Sequence, residues 1–202
     1  MEGTRIATPS RCAHNRFMKL GLPWPLLLAA VLFGVAGRPA QGSRATAMDL
    51  DGLARAADHV VVGEIVDVRG AWDAEYRHIY STVTIVVSES WKGTASGQTL
   101  TVVQPGGTLG DYVTRVAGLA TFTPGERAVL FLRGRTPASV VGLGQGKRPL
   151  RFDTRLRAWM ADPGDRSAAV RINAIDTTNA PPAETPLRLD ELRQRVRAIL
   201  SR

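Results

Sequence analysis

The residues from His59 to Gln104 alternate in polarity with a period of two, and that pattern most constrains what the chain can fold into. Ile79–Trp91 is the clearest stretch: Ile79, Val83, Ile85, Val87 and Trp91 share one parity, and Tyr80, Thr82, Thr84 and Val86 take the other. Successive side chains of a strand point to opposite faces, so such a run covers a core mainly from one side. His59–Val68 carries Val60, Val62, Val66 and Val68 on one parity, interrupted at Gly63-Glu64. A glycine inside a strand marks a bulge or bend, and a long bent first strand is what a small barrel needs in order to curl. Gly93 to Gly97 makes a turn, and Gln98–Gln104 returns with Leu100 and Val102 on one face, so the second and third strands form a hairpin.

The remaining elements fit the same class. Pro124-Gly125 launches Glu126–Arg133, where Ala128, Leu130 and Leu132 oppose Val129 and Phe131. Apolar residues on both parities predict a central strand covered on both sides. Ser139–Leu143 and Leu150–Phe152 are shorter strands, separated by Gly144 to Pro149. Asp49–Asp58 predicts a short helix capped by Asp49, with Leu50, Leu53 and Ala57 on one face. The expected fold is mainly β: a small OB-like or Greek-key β-barrel, or a sandwich, of residues 48–160. Residues 105–123 interrupt the strand pattern and predict an inserted helix or long loop.

Composition enters through the N-terminus. Met18-Lys19 opens a basic start, Leu20 to Gly37 is almost free of polar groups, and Ala45-Thr46-Ala47 is an A-x-A pattern. Together these predict an export signal over residues 1–47, with translation starting at Met18 and a periplasmic or extracellular destination. Eighteen apolar residues broken by Pro23 and Pro25 make an uncleaved membrane anchor the competing reading. Either way the domain stands outside the cytoplasmic membrane, because the positive flank stays inside. The formal charge of +8 is largely the signal's: residues 48–202 hold 20 basic and 17 acidic groups. That near balance, with export, argues against a nucleic-acid partner. The one cysteine, Cys12, also lies upstream, so the mature domain has no disulfide or thiolate chemistry.

The runs ADHVVVGEIVDV, TVTIVVSESWKG, TLTVVQPGG and FTPGERAVLFL carry a resemblance over about Asp49–Gly146. They resemble a family of exported bacterial proteins with an OB-like barrel, and more distantly are similar to the netrin-like modules of tissue inhibitors of metalloproteinases. The resemblance implies an OB-type barrel and, as a partner, a secreted protease. Netrin-like inhibitors block proteases through an N-terminal cysteine, and the mature chain has none, so no inhibitory residue carries over.

After Gly164 the chain is mixed, with a strand-like patch at Ala168–Ile175 and a linker composition over Ala180 to Pro186. Residues 186–201 predict a helix capped by Thr185 with Pro186 at its first position. Leu189, Leu192, Val196 and Ile199 or Leu200 form its apolar stripe. A helix docked on the barrel with solvated arginines is the preferred reading, and one lying on an anionic membrane is the alternative.

Catalytic patterns are missing. His59 and His78 stand 19 positions apart without the spacings of a zinc site, although Asp58, Glu64, Asp73 and Glu75 lie near them. Gly142 to Lys147 fails the phosphate-loop pattern, with Val141 where a glycine belongs and Arg148 where a Ser or Thr belongs. Its glycines are expected to turn the chain between strands. No G-x-S-x-G elbow is present. Neither a cofactor nor a metal is expected. Trp72, Tyr76 and Tyr80 cluster around the first hairpin loop, and Trp72 is the best candidate for an exposed contact. The expected activity is non-enzymatic binding of a protein, peptide or glycan, across Trp72, Tyr76, His78 and Arg115. A protease-partner module and a small metal-dependent or carboxylate hydrolase are the alternatives.

Overall fold

A computed structural model describes residues 47–94, 96–165 and 184–202. The expected export segment, apart from Ala47, the strand-like patch at 168–175 and residues 180–183 of the expected linker lie outside these residues. No helix among the described residues is long and apolar enough to cross a membrane.

The chain is mainly β, with one large antiparallel sheet and a helix at each end. Helix α1 (Leu50–Ala56) leads into β1 (His59–Trp72), β2 (Ile79–Lys92) and β3 (Thr99–Pro105). Two short strands, β4 (Gly107–Leu109) and β5 (Tyr112–Thr114), form a separate hairpin. Strands β6 (Arg127–Arg133), β7 (Ser139–Val140), β8 (Lys147–Asp153), β9 (Ala158–Ala161) and β10 (Leu187–Arg188) follow, and α2 (Leu189–Leu200) closes the chain. The sheet runs β10-β9-β8-β6-β1-β2-β3, with β7 beside β6. Beyond that path, Ala138 bridges Val102 of β3 in parallel, donating to Thr101 O at 2.8 Å and accepting from Val103 N at 3.2 Å.

Strand β1 curves because its pairing slips. Its register with β2 shifts at Val60/Val61, Val62/Gly63 and Ile65/Asp67. Gly63 is needed at the second slip, since a Cβ there would stand 2.5 Å from Ile85 Cγ2. Val60 and Val62 face the helices and Val61 and Ile65 the opposite core, but past the last slip Val66 is left 46 % exposed and Val68 packs on that opposite core, which corrects the single parity expected for the four valines.

Two apolar clusters sandwich the central strands. Val129 and Phe131 of β6 pack with Val60, Val62 and the helix residues Leu53, Leu192 and Val196. On the other face Ala128, Leu130 and Leu132 meet Val61, Ile65, Val83, Ile85, Leu100 and Val102. β6 is therefore covered on both sides, as its composition predicts.

Helix α1 is finished by side chains. Asp49 accepts the Gly52 N–H at 2.8 Å. At the other end Lys92 Nζ donates to the carbonyls of Ala54 at 3.2 Å, Arg55 at 3.5 Å and Ala57 at 2.5 Å. These are carbonyls that a helix end leaves without partners.

Of the two alternatives expected for residues 105–123, the loop is present, preceded by the β4–β5 hairpin, and the helix is not. Two expectations are corrected. The last helix begins at Leu189, with Arg188 as N-cap and no side-chain capping bond, because residues 187–188 pair with β9 first. The start of the tail helix is thus preceded by a two-residue strand of the sheet. β7 ends at Val140, and residues 141–146 are a buried turn with positive φ at Gly142 and Leu143. This is the turning role expected of those glycines. α2 docks as predicted, with Leu192 and Val196 fully buried. Its arginines are occupied: Arg193 meets Glu89 at 2.7 Å and Arg195 meets Glu191 at 2.5 Å.

Candidate functional site

The 105–122 insertion is held on β1, β2 and β3 by close backbone approaches. Gly70 lets β4 lie against β1, since a Cβ there would stand 2.2 Å from Thr108 O. Gly107, at φ +142°, likewise passes Ser81, whose Oγ a Cβ would meet at 2.1 Å. Ser81 Oγ donates to Gly106 O at 2.7 Å, and Gly106 N donates to Ile79 O at 2.7 Å.

Residues 115–122 are then fastened from three directions. Gln104 Nε2 donates to Ala120 O at 2.7 Å, and Gly144 N donates to Gly118 O at 2.7 Å. Lys147, 6 % exposed, donates to Thr121 O and pairs with Glu126 at 2.6 Å. Its ammonium also stands 5.0 Å from the centre of the Phe122 ring.

Between this insertion and the sheet lies an open cavity of about 530 Å³. Val68 and Val83 line it from the sheet, and Val113, Val116, Leu119 and Phe122 from the insertion. Ser81 Oγ and Gln104 Nε2 are already engaged with the insertion backbone. Arg115 and Asp165 are the charged residues of the lining. Arg115 is exposed and has no ion-pair partner among the described residues.

Of the four residues expected at the site, only Arg115 lines this cavity. Trp72 ends β1 half-buried, its ring packed edge-on to Tyr112 of β5 at 5.6 Å and 67°. It therefore ties the first sheet strand to the insertion. Tyr76, 78 % exposed at φ +54°, and exposed His78 sit in the loop joining β1 to β2. That loop is ordered by Asp73, whose carboxylate accepts the Arg77 N–H at 2.7 Å. The bond from the Arg77 N–H holds the Asp73 carboxyl below its ordinary range. No described hydrogen bond, ion pair or ring contact joins any two of Trp72, Tyr76, His78 and Arg115.

His59 has a tying role instead. Its Nδ1 accepts the Thr94 N–H at 3.1 Å, and its Nε2 stands 3.1 Å from Gly134 O, which together favour the neutral Nε2–H tautomer. His59 thereby joins the turn after β2 to the turn after β6. Among the described residues no three His, Cys, Asp or Glu side chains are grouped to hold a metal ion.

Sequence reasoning missed Tyr112, Ser81, Gln104, Phe122 and Lys147 as builders of this region. Their roles come from partners distant in the chain, and no local pattern marks them. Comparison with protein-family models, with curated proteins and with solved structures finds no match to this chain.

Proposed function

We propose that this chain is an exported, non-enzymatic binding domain with an OB-like barrel, whose ligand occupies the cavity beneath the 105–122 insertion. The strand pairing supports the barrel. β1, β2 and β3 pair in succession, Ala138 bridges β3, β7 pairs β6, and β6 pairs β1. The single bridge from Ala138 to Val102, beside β7, supports reading these pairings as a partly open five-stranded Greek-key barrel. Such barrels bind across their second and third strands and the loops beside them. Here those strands supply Ser81, Val83 and Gln104 to the cavity, and the 73–78 loop carries Tyr76 and His78.

The cavity carries the reading. About 530 Å³ lies within the range of small-ligand sites, roughly 300–1,000 Å³. Its walls are largely apolar, and Arg115 supplies a cation with no ion pair to a described side chain, the one carboxylate of the lining being Asp165. The non-enzymatic part rests on the same lining. It includes no histidine or cysteine, and its one serine donates to Gly106 O rather than to a base.

The test uses anilinonaphthalene sulfonate, a fluorescent probe with an apolar body and one anionic group. The exported chain binds it saturably at one site. Val116→Trp fills the cavity and abolishes that binding. Arg115→Gln weakens it about tenfold by removing a charge-assisted contact. Failure to saturate, or binding that survives Val116→Trp, removes the reading.

A further inference from the structure

A second surface lies on the β8–β9 hairpin and belongs neither to the cavity nor to the cores. Residues 154–157 turn this hairpin. Leu156, 54 % exposed, stands in the turn, and Phe152, 50 % exposed, stands on β8. Phe152 pairs across the ladder with Trp159, the two rings edge-on at 5.5 Å, so an aromatic platform backs the tip. The tip is ordered: Asp153 Oδ1 accepts the N–H of Arg155 at 2.9 Å and of Leu156 at 3.0 Å.

Charge gathers around this apolar tip. The Arg155 and Arg157 side chains have no ion-pair partner among the described residues. Arg127 is spread over the Trp159 ring at 4.7 Å and makes no ion pair among the described residues, although Glu64 is its cross-strand neighbour. The local acids are committed elsewhere: Asp162 pairs with Arg151 at 3.1 Å, and Asp153 holds the turn. Exposed apolar side chains flanked by free guanidinium groups complement a surface with anionic headgroups above an apolar layer. Helix α2, the other basic element, cannot serve in this way. Its apolar stripe is buried against the core.

We propose that the β8–β9 tip docks the domain on an anionic lipid bilayer, with Leu156 and Phe152 entering the interface and Arg155 and Arg157 meeting lipid phosphates. This surface is independent of the cavity, so either proposal stands if the other falls. A protein partner or a second copy of this chain would exploit the same apolar groups, but neither requires the uncompensated positive charge.

A local readout separates tip insertion from any attachment through the N-terminal apolar segment. In the full chain, Trp24, Trp72 and Trp91 are changed to Phe, leaving Trp159 as the only emitter. Vesicles of phosphatidylglycerol and phosphatidylcholine with brominated acyl chains quench Trp159, and brominated phosphatidylcholine vesicles do not. R155Q/R157Q lowers the partition into anionic vesicles about 25-fold, at about fivefold per arginine. F152S/L156S removes the quenching, while a cooperative thermal transition and an unchanged far-ultraviolet circular dichroism spectrum show that the fold is kept. Three results overturn the proposal: unquenched Trp159 on anionic vesicles, equal quenching by both vesicle types, or a concentration-dependent dimer lost in F152S/L156S.

Discussion

Lys147 holds an ammonium at 6 % exposure, with Glu126 at 2.6 Å and the Thr121 carbonyl as acceptors. Removing one partner of such a pair leaves the other charge without compensation, which costs more than the pair itself contributes. Lys147→Met should therefore lower the unfolding free energy by about 3 kcal/mol in urea titrations. The double variant Lys147→Met/Glu126→Gln should recover a clear part of that loss, because no unpaired charge remains. A double variant no better than the single would contradict the assignment. Asp153 gives a pH signature at the same scale. The Leu156 N–H, and after it the Arg155 N–H, hold its carboxyl below the ordinary value of 3.8. A depressed folded-state pKa adds stability that is complete above the unfolded value and is lost as pH falls through the folded one. Carbon-detected NMR titration should therefore find Asp153 ionised below pH 3.8, with the tip amides losing protection only below that. At this scale the sequence is least legible. Trp72 is identifiable as a contact residue from its loop composition, but its partner Tyr112 lies 40 positions on. Lys147 reads only as the end of a failed phosphate loop, because Glu126 and Phe122 reach it through the fold.

At the scale of elements, the insertion depends on a glycine. Gly70→Ala places a methyl where Thr108 O now stands, so β4 must leave β1. The expected result is a loss of about 1–3 kcal/mol, as for other overpacked sites, together with weakened probe binding in the cavity. Unchanged probe affinity would separate β4 from the site. The terminal helix is tested by Leu192→Ala. Leu192 is fully buried between α1 and the sheet, so its truncation should cost about 2–5 kcal/mol in one cooperative transition. A second, independent transition would mean that the tail does not belong to the core. Elements were legible where burial is one-sided or two-sided over several residues. The alternation of β2 and the doubly apolar run of β6 give their bounds to within a residue. β9 escaped because Ala158-Trp159-Met160-Ala161 is too short to show a period. β10 escaped because its two residues acquire strand geometry only through pairing with Ala161 and Met160. Past the last bulge of β1, Val68 packs on the core opposite Val60 and Val62, and only the Gly63 slip was written in the sequence as a glycine.

For the whole molecule, the proposals of export, cavity binding and tip docking converge on a domain that works at or near a membrane surface. Processing gives one check. Cleavage after Ala47 would leave Met48 at the N-terminus, and Met48 N already donates to Gln145 Oε1 at 2.8 Å. An amino group there keeps that donor. N-terminal sequencing of the exported chain should begin at Met48. A sequence that retains residues 18–47 would favour the anchored form. The mainly β class was readable from the strand periods and turn signals, whereas the site was readable only in part. Arg115 lines the cavity as the only member of the expected set to do so, because a cavity is made by segments that no short pattern connects. The most direct test of the binding reading is an amide NMR titration of the isotope-labelled exported chain with anilinonaphthalene sulfonate. Saturating shifts confined to the cavity lining, that is Val68, Gly70, Ser81, Val83, residues 104–108 and 113–122 and Asp165, are expected. Shifts centred on residues 152–159, or spread without saturation over the whole sheet, would contradict the binding reading.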